Sequence, residues 1–273
     1  MKQFKSNKLA ASLAGGCLLS LVMAAQSAVA CTVDNWMGGN TNTATPGSVV
    51  AASPATVSRY SGLCGMKTAA ATTAWVQDDS PAGINRIRAR FYVLNELNPA
   101  AIAPVYSGFS TANGSGPLFT VFLTGAGEVR LRDIATGTVI TQSAGTKWLS
   151  VEIDWSQGSG DGVVSLSVNG QAPAPVSNLN NAGSALQSVR LGNLSGAGGT
   201  LSFDAYESRR TTEIGRLVVA DSNNDGSING LDIVTTRNEV LGGPLSGGQP
   251  DCTEDGLVNG TDIVCTRIIA LGG

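Results

Sequence analysis

Residues 147–170 read KWLSVEIDWSQGSGDGVVSLSVNG, and this stretch decides the fold class of the chain. In its second half, serines separate the apolar side chains of Val164, Leu166 and Val168. An apolar residue at every second position predicts a β-strand that buries one face and exposes the other. The glycine-rich segment at 158–162 and the Asn169-Gly170 pair are typical turn sequences between such strands.

Short apolar segments of the same kind recur along the chain up to residue 215. Eight candidate strands, separated by turn residues, are predicted at 68–76, 85–94, 117–124, 127–132, 147–155, 162–168, 186–192 and 199–207. The composition fits this pattern, because 42% hydrophobic residues suffice for a packed core and 35 glycines supply turns. Many strands without a long helical pattern predict a mostly β fold of two packed antiparallel sheets.

The quoted stretch also carries a family resemblance. Together with VRLGN at 189–193, LSFDAYESRR at 201–210 and RARFYVL at 88–94, it resembles laminin-G-like, or concanavalin-type, jelly rolls. The resemblance covers residues 57–208 and implies an antiparallel jelly-roll β-sandwich in a domain spanning 31–215. It implies no single activity, because such folds bind sugars, bind proteins or cleave polysaccharides.

A hydrolase motif in the quoted stretch is incomplete. Jelly-roll glycosidases that cleave β-glucans carry Glu-[Ile/Leu]-Asp-x-x-Glu on one strand, where the carboxylates share a face. Here Glu152 and Asp154 occupy the first two positions, but Gln157 occupies the third and cannot transfer a proton. We expect both acids to face solvent and to have no catalytic role, while Val151, Ile153 and Trp155 point into the core.

The chain contains no histidine. This excludes Ser-His-Asp and Cys-His nucleophiles and every His-ligated metal site. It also weakens the reading as a lyase of this fold, since such lyases often use His and Tyr. A polysaccharide hydrolase or lyase is therefore the alternative to a non-catalytic sandwich that binds a carbohydrate or a surface. Trp36, Tyr60 and Trp75 are aromatic residues that either stack on a sugar or belong to the core.

Residues 1–30 have the pattern of a secretory signal peptide. Three lysines precede an apolar segment, and Ala28-Val29-Ala30 forms a small-residue cleavage site before Cys31. We therefore expect a secreted protein, with a lipid anchor on Cys31 as the alternative. No later segment is long and apolar enough to span a bilayer. Cleavage leaves 14 basic and 20 acidic residues, a net charge of −6 that argues against nucleic-acid binding.

Four cysteines follow the cleavage site. An even number in an exported chain predicts two disulfides, and the sequence alone permits three pairings. Local spacing favours Cys31–Cys64 and Cys252–Cys265. The lipid-anchor alternative would leave Cys64 without that partner.

Residues 216–273 contain an internal repeat with an offset of 30 residues. The copies read DSNNDGSINGLDIVTTRNEVLGG from residue 221 and DCTEDGLVNGTDIVCTRIIALGG from residue 251. Oxygen-bearing residues at alternate positions of a 12-residue loop are typical of calcium sites. The predicted ligands in loop 221–232 are Asp221, Asn223, Asp225, the carbonyl of Ser227, Asn229 and Asp232. In loop 251–262 they are Asp251, Thr253, Asp255, the carbonyl of Leu257, Asn259 and Asp262.

The second calcium site is predicted to be the weaker one, because Thr253 offers a neutral hydroxyl where Asn223 offers an amide. An apolar helical stripe follows each loop, formed by Ile233, Val234, Val240 and Leu241, and by Ile263, Val264, Ile268 and Leu271. Two copies of a loop and its following helix resemble a dockerin type I domain. That resemblance implies a cohesin partner, but Gly230 and Gly260 depart from the usual contact residues, so docking on the same chain is the alternative.

Overall fold

The computed structural model describes residues 49–52, 58–80 and 82–273. These residues form a mostly β structure of two antiparallel sheets, followed by two helices near the C-terminus. The seven-stranded sheet has the order β1 (Val49–Ala52), β2 (Gly65–Thr68), β13 (Gly199–Arg209), β4 (Arg86–Leu97), β9 (Trp148–Ser156), β10 (Ser159–Val168) and β11 (Ala174–Asn180). The six-stranded sheet has the order β3 (Ala74–Asp78), β12 (Ser188–Asn193), β5 (Ile102–Phe109), β6 (Pro117–Thr124), β7 (Glu128–Asp133) and β8 (Val139–Ser143).

The core lies between the two sheets and follows the alternation in the sequence. Along β9, Val151, Ile153 and Trp155 are buried in it, as predicted. The rings of Trp155 and Phe119 pack with their centroids 5.2 Å apart and so join the two sheets. Burial of apolar side chains from both sheets is the main term that stabilises such a sandwich.

One buried carboxylate also connects the sheets. Asp133, at the end of β7, accepts hydrogen bonds from the indole of Trp155 at 2.9 Å and from the amide of Asn181 at 3.0 Å. Burial acts to raise the pKa of Asp133, but these bonds and two from Thr136 outweigh it, so the pKa lies below its usual value.

The predicted strands are found with one exception. Residues 68–76 do not form one strand, because the chain turns at 69–73 and places β2 and β3 in different sheets. Ala71 has a φ of 51° in this turn, a conformation that interrupts a strand. Four strands were not predicted: β1, β5, β8 and β11. β5 contains Pro104 and a register shift, and β11 is polar and mostly exposed, so neither has a clean alternation.

Helix α1 spans Gly230–Val240 and α2 spans Gly260–Ala270, each directly after a predicted calcium loop. Asn229 and Asn259 cap them, and an aspartate three residues later completes a capping box in both copies. The repeated Leu-Gly-Gly directly follows each helix. Gly242 and Gly272 each have a φ of 81°, and the amide of the following glycine bonds back to residue 238 or 268, which is a Schellman motif.

Several side chains of the predicted apolar stripes on these helices are exposed. Val234, Val264 and Ile268 are 48%, 58% and 53% exposed. The fully buried helix residues are polar instead: Asp232, Thr236, Asp262 and Thr266. The interior between the two short helices is occupied by buried polar residues of the helices and of the two loops. The apolar side chains therefore remain on the outside of the helix pair.

Residues 216–273, called the tail from here on, pack against the outer face of the seven-stranded sheet. The amide of Trp148 donates to the carbonyl of Glu254 at 2.8 Å, and the Tyr60 hydroxyl donates to the Glu254 carboxylate, also at 2.8 Å. Arg59 pairs with Glu239 at 2.6 Å, with side chains only 1% and 7% exposed. The alternative of docking on the same chain is thus the arrangement seen in this structure.

Gly256 brings the second loop close to the sheet. Its φ is 91°, and a Cβ at this position would lie 2.6 Å from a methyl of Leu94. The loop therefore needs glycine here both for its turn and for its contact with the sandwich. In the part of the chain that the structure describes, no helix is long and apolar enough to cross a membrane.

Candidate functional site

The two predicted calcium loops share one hydrogen-bond scheme. The carboxylate of Asp221 accepts from the amides of Asp225 and Gly226, and the carboxylate of Asp251 accepts from those of Asp255 and Gly256. At the last loop position, Asp232 accepts from the amide of Asn229, and Asp262 accepts from that of Asn259. The same scheme in two copies means that the spacing of the residues determines the loop conformation.

Hydrogen bonds join several of the predicted ligands within each loop, and most of the aspartates are buried. Asp232, Asp251 and Asp262 are 0% exposed, and Asp221 is 5% exposed. Burial raises the pKa of Asp251 to about 7, and repulsion from the carboxylates of Asp262 and Asp255 adds to this, against the amide of Gly256. Uncompensated carboxylates in a small buried volume fit a divalent cation, which would supply the missing positive charge.

Among the described residues, no group of three Asp, Glu, Cys or His side chains is arranged so that it could hold a metal ion. The predicted donor set does not depend on such a cluster alone. Half of it consists of amide, hydroxyl and main-chain carbonyl oxygens, from Asn223, Ser227, Asn229, Thr253, Leu257 and Asn259. These are oxygen donors of the kind that calcium accepts.

The two copies differ in how the loop start is tied to its helix. In the first copy the hydroxyls of Ser222 and Thr236 are hydrogen-bonded at 2.6 Å. In the second, Cys252 replaces the serine and forms the predicted disulfide with Cys265, with Cα atoms 5.8 Å apart. The hydroxyl of Thr266 is then buried without a partner among the described residues. Cys64 is also disulfide-bonded, and Cys31, its predicted partner, lies outside the described residues.

This difference predicts opposite effects of one substitution at the two equivalent threonines. Thr236→Val should lower the free energy of unfolding by about 1 kcal/mol, since the buried Ser222 hydroxyl loses its short bond to Thr236 and keeps only a 3.4 Å bond to the carbonyl of Ala220. Thr266→Val removes a hydroxyl that has no partner and should be neutral or stabilising. Chemical unfolding of both variants measures this, and equal losses at the two positions would contradict it.

Glu152 and Asp154 lie on the outer face of the seven-stranded sheet, as predicted, but they do not face open solvent. The carboxylate of Glu152 accepts from the amides of Ile214 and Gly215 at 2.9 and 3.0 Å. Asp154 pairs with Arg86 at 2.6 Å and Arg88 at 2.8 Å. A groove of about 420 Å³ runs past these residues, and its charges are largely paired with one another. These hydrogen bonds and ion pairs therefore give both acids a structural role.

The three aromatic residues that were candidates for sugar stacking lie in different surroundings. Tyr60 is 0% exposed and stacks on Tyr92 with ring centroids 3.7 Å apart, beneath the tail, so it is a core residue. Trp36 lies outside the described residues. Trp75 is half-buried on the outer face of the six-stranded sheet, where the guanidinium of Arg190 lies 3.9 Å from its ring centroid.

The outer face of the six-stranded sheet around Trp75 is called the open face from here on. It consists of Trp75 and Gln77 on β3, Arg190 on β12, Pro104, Ser107 and Phe109 on β5, Thr120 and Phe122 on β6, and Arg130 and Arg132 on β7. The strand register aligns Gln77, Arg190, Ser107, Thr120 and Arg132 in one row across the sheet. A shallow depression of about 360 Å³ lies over the middle of this face.

Arg190 is held in place on the open face. Its Nε donates to the side-chain oxygen of Gln77 at 2.8 Å, and one terminal nitrogen donates to the carbonyl of Asn113 at 2.6 Å. Its guanidinium also lies over the ring of Phe109, 5.1 Å from the centroid. The hydroxyls of Ser107 and Thr120 bond each other at 3.0 Å beside it. The face thus offers fixed polar groups between partly exposed apolar ones.

Sequence reasoning missed the open face, apart from naming Trp75. One signal was present: the predicted strand at 117–124 is apolar on both faces, with Phe119 inward and Phe122 outward. Phe122 is half-buried on the outer face of this strand, where a regular alternation would place a polar residue. Arg190 and Arg132 carried no comparable signal, because only the strand order brings them into one row.

No known protein family matches the sequence, and no curated protein matches it. Solved structures give weak similarities. The receptor-binding domain of botulinum neurotoxin type G is 13% identical with a TM-score of 0.44, over 64% of this chain and 44% of that one. A cellulose-induced protein is 14% identical with a TM-score of 0.46, over 64% and 94%. An alginate lyase from Klebsiella pneumoniae is 10% identical with a TM-score of 0.39, over 54% and 82%. The chain thus spans less than half the length of the first of these.

Proposed function

We propose that this chain is an exported, calcium-binding protein whose sandwich binds a glycan on the open face without cleaving it. The observation that carries the proposal is the composition of that face. Half-buried Trp75 and Phe122 flank a depression whose floor carries the hydroxyls of Ser107 and Thr120 and the fixed guanidinium of Arg190. Apolar ring faces with a few fixed polar groups are typical of small-molecule and sugar sites.

The chemistry of the open face favours binding over hydrolysis. Glycoside hydrolysis needs a pair of carboxyl groups on either side of the scissile bond. None of the ten residues that define the open face is acidic, and the neighbouring Glu128 is paired with Arg130. On the opposite sheet, Glu152 and Asp154 are bound to main-chain amides and arginines.

The proposed calcium function belongs to the tail. Calcium would be held in each loop by the six residues at alternate positions, and the Thr253 loop would be the weaker site. Buried aspartates without a basic partner in the loops support this, as does the raised pKa of Asp251. The dockerin-like and laminin-G-like assignments, the domain limits at 31–215 and 216–273, and export through residues 1–30 are parts of the same proposal.

A matched pair of variants tests the glycan function. Phe122→Ala removes an aromatic face from the open face, and Val176→Ala removes a partly exposed side chain from the other sheet. In affinity electrophoresis of the mature chain through a panel of polysaccharides, we expect saturable binding to one class. Phe122→Ala should weaken it about tenfold, because stacking on an aromatic ring contributes on the order of 1–2 kcal/mol.

The control determines how a negative result is interpreted. Val176→Ala should bind as the unmodified chain does, and both variants should keep its melting temperature within a few degrees. Absence of binding to every polysaccharide, or equal binding by the Phe122 variant, would exclude a glycan site on this face.

A second candidate function is docking to another protein through the tail. Large apolar side chains are exposed at repeat-related positions of the two helices, including Val234 and Val264. Exposed apolar patches of this kind mark interaction surfaces. A cohesin domain is the probe for this candidate, and an interaction that forms in calcium and disappears in EDTA would support it.

A further inference from the structure

The charges on the open face point to the class of glycan that it takes. We propose that it selects anionic polysaccharides, whose carboxylate or sulfate groups pair with Arg190 and Arg132 while sugar rings contact Phe122 and Trp75. This inference rests on the proposed glycan function and narrows it to one class of ligand.

The row across the sheet provides the geometry. Arg190, Ser107, Thr120 and Arg132 are register partners on four successive strands. Strands in a sheet lie about 4.8 Å apart, so the Cα atoms of the two arginines are separated by about 14 Å. Ser107 and Thr120 lie between the arginines, where they are buried at the floor of the depression and bond each other at 3.0 Å. A chain molecule lying across the strands would therefore meet the two guanidinium groups on either side of this floor, and the repeated acidic groups of a polyuronate or a sulfated glycan can pair with both.

Arg190 and Arg132 of the open face differ from the arginines of the other sheet in having no carboxylate partner in the part of the chain that the structure describes. On the seven-stranded sheet, Asp154 pairs with Arg88, and Glu207 pairs with Arg90 at 3.2 Å. On the open face, Arg190 and Arg132 form no ion pair with any described residue. A guanidinium without a carboxylate partner is the group that recognises carboxylates and sulfates by paired hydrogen bonds.

Arg190 is preorganised for such a ligand. Its Nε and one terminal nitrogen are bonded to Gln77 and Asn113, and its plane rests on two aromatic rings. The other terminal nitrogen makes no hydrogen bond within the described part of the chain. An ordered side chain loses little further entropy on binding.

The charge of the open face is opposite in sign to the net charge of the chain. The whole chain has a formal net charge of −3, yet Arg190 and Arg132 on the open face have no carboxylate partner among the described residues, while Arg130 pairs with Glu128 on the same strand. The face is therefore a local cationic surface on an acidic protein. Such a distribution attracts an anionic ligand to one surface and repels it elsewhere.

The experiment uses a neutral and an anionic form of one polymer. Polygalacturonate and its fully methyl-esterified form share a backbone and differ in charge, so binding of the mature chain is measured with both by titration calorimetry at two salt concentrations. We expect the acid form to bind at least tenfold more tightly than the ester, with an affinity that falls as salt rises. A sulfated glycan and a single-stranded polynucleotide serve as further probes.

Two variants that each remove one exposed arginine provide the mutational test. Arg132→Gln on β7 should weaken binding to the acid form about tenfold, since it removes a charge-assisted hydrogen bond. It should leave binding to the ester unchanged. Arg237→Gln on α1 makes the same change of charge away from the face and should have no effect.

The outcomes separate this inference from the function on which it rests. Equal binding to acid and ester, reduced by Phe122→Ala, would keep the glycan function and overturn the selection of anions. No binding to any glycan would overturn both. Polynucleotide binding as tight as that of the acidic glycans would assign the face to phosphates and overturn the proposed ligand class.

Discussion

Replacing Glu239 with glutamine is expected to lower the free energy of unfolding by about 3–5 kcal/mol, the range measured when one partner of a buried ion pair is removed. Glu239 and Arg59 are among the most deeply buried charged groups described, with side chains 7% and 1% exposed. Glutamine keeps the size of the side chain and one acceptor oxygen. It leaves the guanidinium of Arg59 buried without a negative charge, which is the costly state.

The effect should be concentrated at the contact between the tail and the sandwich. Besides Glu239, Arg59 donates to the main-chain oxygen of Gly62 at 2.6 Å and lies 3.3 Å from the Ser246 hydroxyl. Hydrogen exchange followed by mass spectrometry should therefore show lost protection in residues 216–273 before any loss in β5, β6 and β7. Unchanged protection of the tail would show that the ion pair does not hold it to the sheet.

Two comparisons make the Glu239 result specific. Glu128→Gln makes the same substitution in the exposed pair with Arg130, whose side chains are 37% and 39% exposed. That variant should lose no more than about 1 kcal/mol. Replacing Arg59 and Glu239 together with methionine should recover much of the loss, because an apolar pair of similar volume leaves no unpaired charge. A double variant as unstable as the single one would contradict the explanation by a buried charge.

The docked tail explains how the two sheet faces differ. Tyr92, Leu94 and Trp148 point outward from the seven-stranded sheet and would form an exposed apolar patch, but they pack with Tyr60 and Leu217 beneath the tail. The main-chain amides at 214 and 215 cover Glu152 in the same way. The described residues therefore cover part of the outer face of the seven-stranded sheet themselves, beside the groove at Glu152 and Asp154.

The sequence predicted those parts that depend on neighbouring residues. The two helices were predicted from the apolar stripe after each loop, and the disulfide from the local spacing of Cys252 and Cys265. Strands with a clean alternation, such as β9 and β10, were predicted close to their observed limits. In each case the decisive interaction joins residues that are close in the sequence.

The parts that were missed depend on contacts between distant residues. The open face joins β3, β12, β5, β6 and β7, and the pairing of β12 with β3 connects residues more than 100 positions apart. The ion pair between Arg59 and Glu239 spans 180 positions. Nothing near Arg59 in the sequence indicates its partner. The exposure of the apolar helix stripes was missed for a related reason, since periodicity shows which residues share a face and not what that face contacts.

Removing calcium is expected to destabilise the tail by about 4 kcal/mol per site when free calcium exceeds the dissociation constant a thousandfold. The physical reason is that burial, with added repulsion from the carboxylates of Asp262 and Asp255, raises the pKa of Asp251 to about 7, and a bound cation would offset both effects. Thermal unfolding of residues 31–273 in calcium and in EDTA measures the shift. Calorimetric titration should give two sites, with the second weaker. No shift in EDTA and no heat of binding would exclude calcium from the loops.

The variant Asp262→Asn distinguishes a role of Asp262 as a calcium ligand from its role in capping α2. Asp262 accepts from the amides of Thr253 and Asn259 without any metal, so its loss destabilises α2 by about 1 kcal/mol even in EDTA. A ligand role adds a change that a cap does not produce, namely a fall in stoichiometry from two calcium ions to one. Asp161→Asn, an exposed aspartate on β10, is the matched control and should leave two sites.

A gain of affinity at the second loop is the sharper test, because loss of a residue can act through folding alone. Thr253 offers a hydroxyl, and that hydroxyl donates to the carboxylate of Asp262 at 2.9 Å, which occupies an oxygen that the metal would use. Thr253→Asn supplies the amide oxygen that Asn223 provides in the first loop and removes the competing donor. The variant should bind its second calcium more tightly and bring the two dissociation constants together. Two equal constants in the unmodified chain would contradict the assigned weakness of the Thr253 loop.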